Sequence, residues 1–146
     1  KKAGMTVLTY FMFGNLDETL HDMRKTIEFA LELDADYATF SVTIPYAGTE
    51  MYLEALSSGL IPNDYWREYA LSPVPNFTPS KLIENHVNMD QMIKLSNDGI
   101  RQFYFRRKYI IRQVKSLGNV AEFFRKARMG LQLLTGVLRS QSIYTR

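Results

Sequence analysis

No cysteine occurs in the 146 residues. This excludes disulfides, thiolate-bound zinc, a cysteine nucleophile and any iron–sulfur cluster held by this chain's own thiolates. No apolar run approaches the ~18 residues a membrane-crossing helix needs, and no secretory apolar segment precedes the first strand-like stretch. There is no G-x-S-x-G, P-loop, G-x-G-x-x-G or H-E-x-x-H pattern, so neither nucleophilic hydrolysis nor phosphate cradling is indicated. His21 and His86 lack ligand-spaced companions, whereas a metal site takes about three or four convergent ligands. His21 therefore reads as a solvent-facing helix residue and His86 as a loop residue, with no metal site expected. A soluble, cytoplasmic protein fits these absences. The chain opens Lys1-Lys2-Ala3-Gly4 and enters hydrophobic sequence within a few residues, as a piece cut from a longer polypeptide would.

Acidic residues are nearly missing from one end. The net charge of +3 divides into 7 Lys and Arg against 14 Asp and Glu over residues 1–100, and 11 against the single Glu122 over 101–146. The two regions are expected to behave differently. An apolar share of 46% places the whole among globular chains.

Met5 to Phe13 is β-branched and aromatic, nearly all apolar, and stops at Gly14, which predicts a strand buried on both faces. Asn15 followed by Glu18 has capping-box spacing, and Leu16, Leu20, Met23, Ile27, Ala30 and Leu31 then recur at helical intervals to about Leu33. Tyr37 to Ile44 alternates, with Ala38, Phe40, Val42 and Ile44 on one face and Tyr37, Thr39, Ser41 and Thr43 on the other. Strand, helix and strand make a βαβ unit with parallel strands. Thr49 is placed to cap a helix from Glu50 to Ser58, with a short helical turn around Trp66 between Asn63 and Tyr69. Pro73, Pro75 and Pro79 keep the next stretch extended, and beyond it the signals are helical. Asn88 with Gln91 caps a helix to about Arg107, interrupted in pattern by Gly99. Tyr109 to Leu117 continues, and a last amphipathic helix opens at Asn119. The tail from Arg139 reads as frayed. The chain thus divides into residues 1–71, a proline-rich connector at 72–87, and a basic helical part at 88–146. Two parallel strands leave both sheet edges unpaired, so further strands are needed. They come from a missing N-terminal part of the polypeptide, from a small irregular sheet not evident in the pattern, or from another copy of the chain through its strand edges.

Active sites of parallel sheets collect where loops leave the C-terminal strand ends. Here those loops bring Asn15, Asp17, Glu18, Tyr46, Thr49 and Glu50 to one rim, above the polar face of Thr39, Ser41 and Thr43. Capping and helix-dipole compensation alone account for several of the rim residues; the polar strand face is harder to assign to structure. In the basic part, Phe103 to Arg112 interleaves aromatics with cations. Three uses stay open: a cap whose aromatics pack inward, an anionic membrane surface met together with the cations at 125–128, or, least favoured by the acidic remainder, nucleic acid.

Tyr10-Phe11-Met12-Phe13-Gly14-Asn15-Leu16-Asp17-Glu18-Thr19 and, 26 residues further on, Tyr46-Ala47-Gly48-Thr49-Glu50 behind Pro45 together resemble the last part of the radical S-adenosylmethionine (SAM) barrel. The resemblance is to the subgroup with an N-terminal cobalamin-binding domain, which includes anaerobic magnesium-protoporphyrin IX monomethyl ester cyclases. Family strands there end in patterns like GLPGET and PYPGTE; Leu16, Asp17 and Ala47 depart from them. The resemblance implies an α/β fold: the last βαβ units of a partial (β/α)6 TIM-like barrel, followed by an α-helical C-terminal extension. It implies Met12, Gly14 and Glu18 on the SAM side, and Tyr46 and Gly48, with Ser41 and Thr43 beneath, on the side of an unknown small-molecule substrate. No catalytic residue is expected in the chain. The family's CxxxCxxC loop holds a [4Fe–4S] cluster that cleaves SAM reductively to a 5′-deoxyadenosyl radical, and its ligands lie outside this chain. Cluster, SAM and cobalamin are thus expected of the parent protein, not of these residues alone. The rival expectation is a non-catalytic interaction module that uses the basic helices at a membrane surface or acidic partner.

Overall fold

A computed structural model describes residues 3–77 and 86–116, and six residues between 124 and 132. In chain order the elements are β1 (Leu8–Phe13), α1 (Leu20–Leu33), β2 (Tyr37–Val42), α2 (Glu50–Ser57), α3 (Tyr65–Leu71), α4 (Met89–Tyr104) and α5 (Arg107–Lys115). Most of the helix expected from Asn119, and the tail from Arg139, lie outside the described residues. The described residues form a mixed α/β unit with five helices and a two-stranded parallel sheet in which Leu8 pairs with Tyr37 and Phe13 with Val42.

One face of this sheet carries the main core. Phe13, Ala38 and Phe40 are buried against Met23, Ile27 and Ala30 of α1 and against Met92, Leu95 and Phe103 of α4. Phe40 stacks on Phe11 at 5.2 Å and on Phe13 at 5.9 Å between ring centroids. Gly99 is the residue that lets α4 lie on this stack, since a Cβ there would stand 3.1 Å from the Phe40 ring. The helix after the proline-broken stretch therefore packs on the strands that precede it. A second, smaller cluster of Tyr52, Ala55 and Ile61 is flanked by Leu16, Tyr65 and Trp66.

Two sequence expectations are corrected. β1 is buried on one face only: Leu8, Tyr10 and Met12 are exposed, Tyr10 at 73%, because among the described residues no layer covers that side of the sheet. The helix cap also moves. Asn15 and Glu18 do not open α1; Thr19 does, with Asp22 closing the capping box. The Thr19 hydroxyl and backbone hold the Asp22 carboxyl below its usual pKa. Glu18 is used elsewhere, and Leu16 leaves the α1 stripe to join the second cluster. The caps expected at Thr49 and at Asn88 with Gln91 are formed.

The aromatic and basic segment after α4 folds inward. α1 closes at Asp34 in the left-handed conformation, φ 48°, which a short polar side chain tolerates. Arg106, Lys108 and Arg112 converge on its carboxylate at 2.6, 2.9 and 3.1 Å. Arg106 also donates to the Leu31 carbonyl and Arg112 to that of Ala35, so the cations complete the C-terminus of α1. The Arg106 guanidinium lies 4.2 Å from the Phe103 ring centre, and burial lowers its pKa.

Candidate functional site

Because β1 and β2 run parallel, the loops that leave their C-terminal ends meet at one rim. The first loop turns at Gly14, buried with φ +92°. A Cβ at this position would come within 2.9 Å of the Met92 sulfur. The left-handed backbone favours glycine, and a Cβ here would in addition have to displace the Met92 thioether. Just beyond, one Glu18 carboxylate oxygen accepts the backbone N–H of Gly14 at 2.7 Å, the N–H of Asn15 at 3.1 Å and the Asn15 side-chain amide at 3.4 Å. Glu18 thus fixes the shape of the loop from within, and is a positioning residue rather than a free carboxylate at the rim.

The second loop is held as firmly. The Thr43 N–H donates to the Phe13 carbonyl at 2.7 Å, extending the ladder past the strands. The buried Pro45 exposes only its carbonyl to partners, and that oxygen accepts from the Tyr65 hydroxyl and the Trp66 indole, both at 3.2 Å. Tyr46, 56% exposed, stacks on Trp66 at 5.8 Å. Tyr46 and Thr49 close a turn through the Thr49 hydroxyl and N–H, with Gly48 at φ +78° and open space around it. Behind the turn the Tyr52 hydroxyl donates to Asp64 at 2.7 Å. Burial first, and this carboxylate second, push the Tyr52 pKa up to about 12, while the same bond lowers that of Asp64.

Below the rim, the exposed sheet face sets Met12 directly beside Ser41 in the ladder, and Tyr10 beside Thr39. The Thr39 and Thr43 hydroxyls are buried yet bond to nothing among the described residues. Met12, Ser41 and Thr43 therefore share one strand-end region with both loops. Gly14 and Glu18 shape the first loop, and Tyr46 and Gly48 shape the second. Two contributors were not anticipated. Met92 closes under Gly14 from a helix 78 residues away, which no local pattern signals. Trp66, the chain's single tryptophan, anchors the second loop through Pro45; a lone large indole beside a short helical pattern was the available hint.

Among the described residues no three His, Cys, Asp or Glu side chains gather as a metal site, and no helix is long and apolar enough to cross a membrane. On α5, Ile110, Ile111 and Val114 remain exposed beside Arg107 and Lys115.

The chain is similar to methyltransferases. It is 34% identical over 115 residues to an uncharacterized methyltransferase of Pyrococcus horikoshii, across 78% of this chain and 24% of that protein. It is 32% identical over 69 residues to the bacteriochlorophyllide d C-8(2)-methyltransferase of Chlorobaculum tepidum, across 47% of this chain and 15% of that protein. The matched regions thus span about a quarter or less of these curated relatives. No family model matches the chain, and no solved structure does.

Proposed function

We propose that this chain is part of a radical SAM enzyme of the methyltransferase kind, forming one wall of its SAM and substrate cavity. The sheet face that the helices leave open carries the proposal: it sets Met12 beside Ser41, with the unsatisfied Thr39 and Thr43 hydroxyls close by and two braced loops at its rim. Such a face suits the inner wall of a parallel (β/α) barrel, whose chemistry lies at the C-terminal strand ends. The similarity to two methyltransferases supports the same reading.

The residues suit the two implied groups differently. With no cysteine, this chain cannot ligate a [4Fe–4S] cluster, and no step of the chemistry runs through a cluster held here. For SAM, the exposed Met12 offers an apolar contact and the Gly14 to Glu18 loop a fixed backbone, with Glu18 holding that loop. SAM supplies an activated methyl group or, on one-electron reduction, an adenosyl radical. On the opposite loop Tyr46 presents its ring face to substrate, Gly48 keeps the opening clear, and Ser41 and Thr43 offer hydroxyls. Cobalamin belongs to the proposed parent protein alone, as does a cytoplasmic location.

The test uses the complete gene product, reconstituted anaerobically with iron and sulfide, reduced, and incubated with SAM. Release of 5′-deoxyadenosine and methionine is the expected result, with a clear loss of SAM binding in Glu18→Ala. Formation of S-adenosylhomocysteine without 5′-deoxyadenosine, or the absence of a CxxxCxxC motif within ~150 residues upstream of Lys1, about one domain length, overturns the radical reading.

A further inference from the structure

Only part of the basic segment reaches the surface. Arg106, Lys108 and Arg112 turn to Asp34, Phe103 and Tyr109 are buried, and the Tyr104 hydroxyl donates to the Ala38 carbonyl at 2.8 Å. What α5 leaves outside is different in kind. Ile110, Ile111 and Val114 remain about half exposed, and Arg107 and Lys115 are exposed with no ion pair among the described residues. Arg107, Ile111 and Lys115 follow one another at intervals of four, with Ile110 and Val114 at the same interval beside them. At about 100° per residue all five share one side of the helix, opposite Tyr109 and Arg112.

That set of residues narrows what the face can meet. Nucleic acid is held by cations together with rings that stack on bases; three rings of this segment are taken up inside the fold, and Phe105 alone is left partly exposed at the turn before α5. An aliphatic strip with a cation at each end is instead the pattern of a helix that lies in a bilayer interface. Its apolar side chains enter the acyl boundary, while the long cationic chains reach back to the headgroups. The surrounding charge has the matching sign. α5 contains no acidic residue, and over residues 101–146 Glu122 stands alone against 11 Lys and Arg, so an anionic surface attracts this end of the chain. The surplus of Asp and Glu in residues 1–100 gives the remainder the opposite preference.

We propose that the outward face of α5 is a contact with an anionic bilayer surface: Ile110, Ile111 and Val114 enter the interface between Arg107 and Lys115, and Asp34, by holding the inward cations, keeps the helix turned that way. A strip of three aliphatic side chains on a helix about 13 Å long makes this a reversible, peripheral contact. Its place in the fold suits that role. Arg112 reaches Asp34 and the Ala35 carbonyl, which puts α5 near the N-terminal end of β2. The loops at Gly14 and Gly48 follow the other ends of the strands, so a bilayer at α5 leaves their rim open. The contact is independent of the activity proposed above.

The test uses the complete gene product and vesicles of phosphatidylcholine, alone or mixed equally with phosphatidylglycerol, with binding read by flotation. The expected result is binding to the mixed vesicles that weakens at about 0.5 M salt, and none to phosphatidylcholine alone. Ile111→Glu, with an unchanged far-ultraviolet circular dichroism spectrum, is expected to lower binding about tenfold or more. Arg107→Gln combined with Lys115→Gln, which keeps the aliphatic strip, is expected to do the same. Leu71→Glu makes the same charge change on an exposed side chain of α3 and is expected to bind as the unaltered protein does. No binding to the mixed vesicles, undiminished binding in Ile111→Glu, or an equal loss in Leu71→Glu overturns the proposal. Release from the vesicles by duplex DNA, with DNA binding undiminished in Ile111→Glu, assigns the cations to nucleic acid and overturns it equally. If Ile111→Glu fails to fold, Ile110→Ser combined with Val114→Ser serves in its place, and undiminished binding there is equally fatal.

Discussion

Replacing Asp34 by Asn tests whether the basic segment after α4 is held by one carboxylate. The substitution keeps the size of the side chain, one acceptor oxygen and its tolerance of φ 48°, and it removes the charge and the oxygen that faces Lys108. Asp34 and Arg106 are each only 16% exposed at the side chain, and Arg112 is 29% exposed. Hydrogen bonds to charged groups contribute about 1.5–3 kcal/mol each. Lys108 is 74% exposed and adds at most ~0.5 kcal/mol. Since Asn retains part of both arginine contacts, the expected loss is about 2 kcal/mol. For a chain of this length that lowers the thermal midpoint by roughly 4–8 °C. Urea unfolding followed by far-ultraviolet circular dichroism measures it. Because the arginines are largely withdrawn from solvent, the loss is expected to persist at about 0.5 M salt, where exposed pairs are screened. In a double-mutant cycle with Arg106→Met, a coupling of about 1 kcal/mol or more is expected. A change below ~0.5 kcal/mol, disappearance of the effect in salt, or strict additivity with Arg106→Met refutes the reasoning.

Gly14→Ala is expected to cost about 2 kcal/mol in urea unfolding, from a left-handed backbone that alanine resists by ~1–2 kcal/mol and from displacement of the buried Met92 sulfur; a neutral result removes the structural requirement for glycine at the rim. At high pH the Tyr52 pair sets a limit: its folded pKa of about 12 lies above the unfolded value, so its contribution is complete below about pH 10 and is lost as pH rises towards 12. Asp64 has the opposite sign, with a lowered folded pKa, and its contribution fades as pH falls below the ordinary carboxylate range. Tyr52→Phe should therefore lower stability at neutral pH by ~1 kcal/mol and flatten the alkaline limb, with Trp66 fluorescence as the probe; an unaltered alkaline profile contradicts the assignment.

Local pattern was enough for the parts of this chain whose cause is local. Alternation from Tyr37, helical spacing through Met23, Ile27 and Ala30, and the caps at Thr49 and Asn88 each follow from a side chain and the few residues beside it. The βαβ unit and the two strand-end loops were legible for that reason, and with them the neighbourhood of Gly14, Glu18, Tyr46 and Gly48. Glu18 does accept the Asn15 N–H, as the expected capping box requires, but it also takes the Gly14 N–H, and the turn it closes is a loop rather than the start of α1. Asn15-x-x-Glu18 and Thr19-x-x-Asp22 have the same spacing, and only the path of the chain at Gly14 selects between them.

What the sequence determined by itself is the order of strands and helices among the described residues, the parallel pairing of the strands, and the absence of any thiolate. What tertiary structure decided is where distant segments return. Met92 comes to lie under Gly14, Gly99 meets Phe40, the Tyr104 and Ser96 hydroxyls donate to the Ala38 and Phe40 carbonyls of β2, and three cations of the basic segment gather on Asp34. Each of these contacts joins residues tens of positions apart. Such contacts depend on the packing of α4 against the sheet rather than on spacing, so no window of sequence contains them.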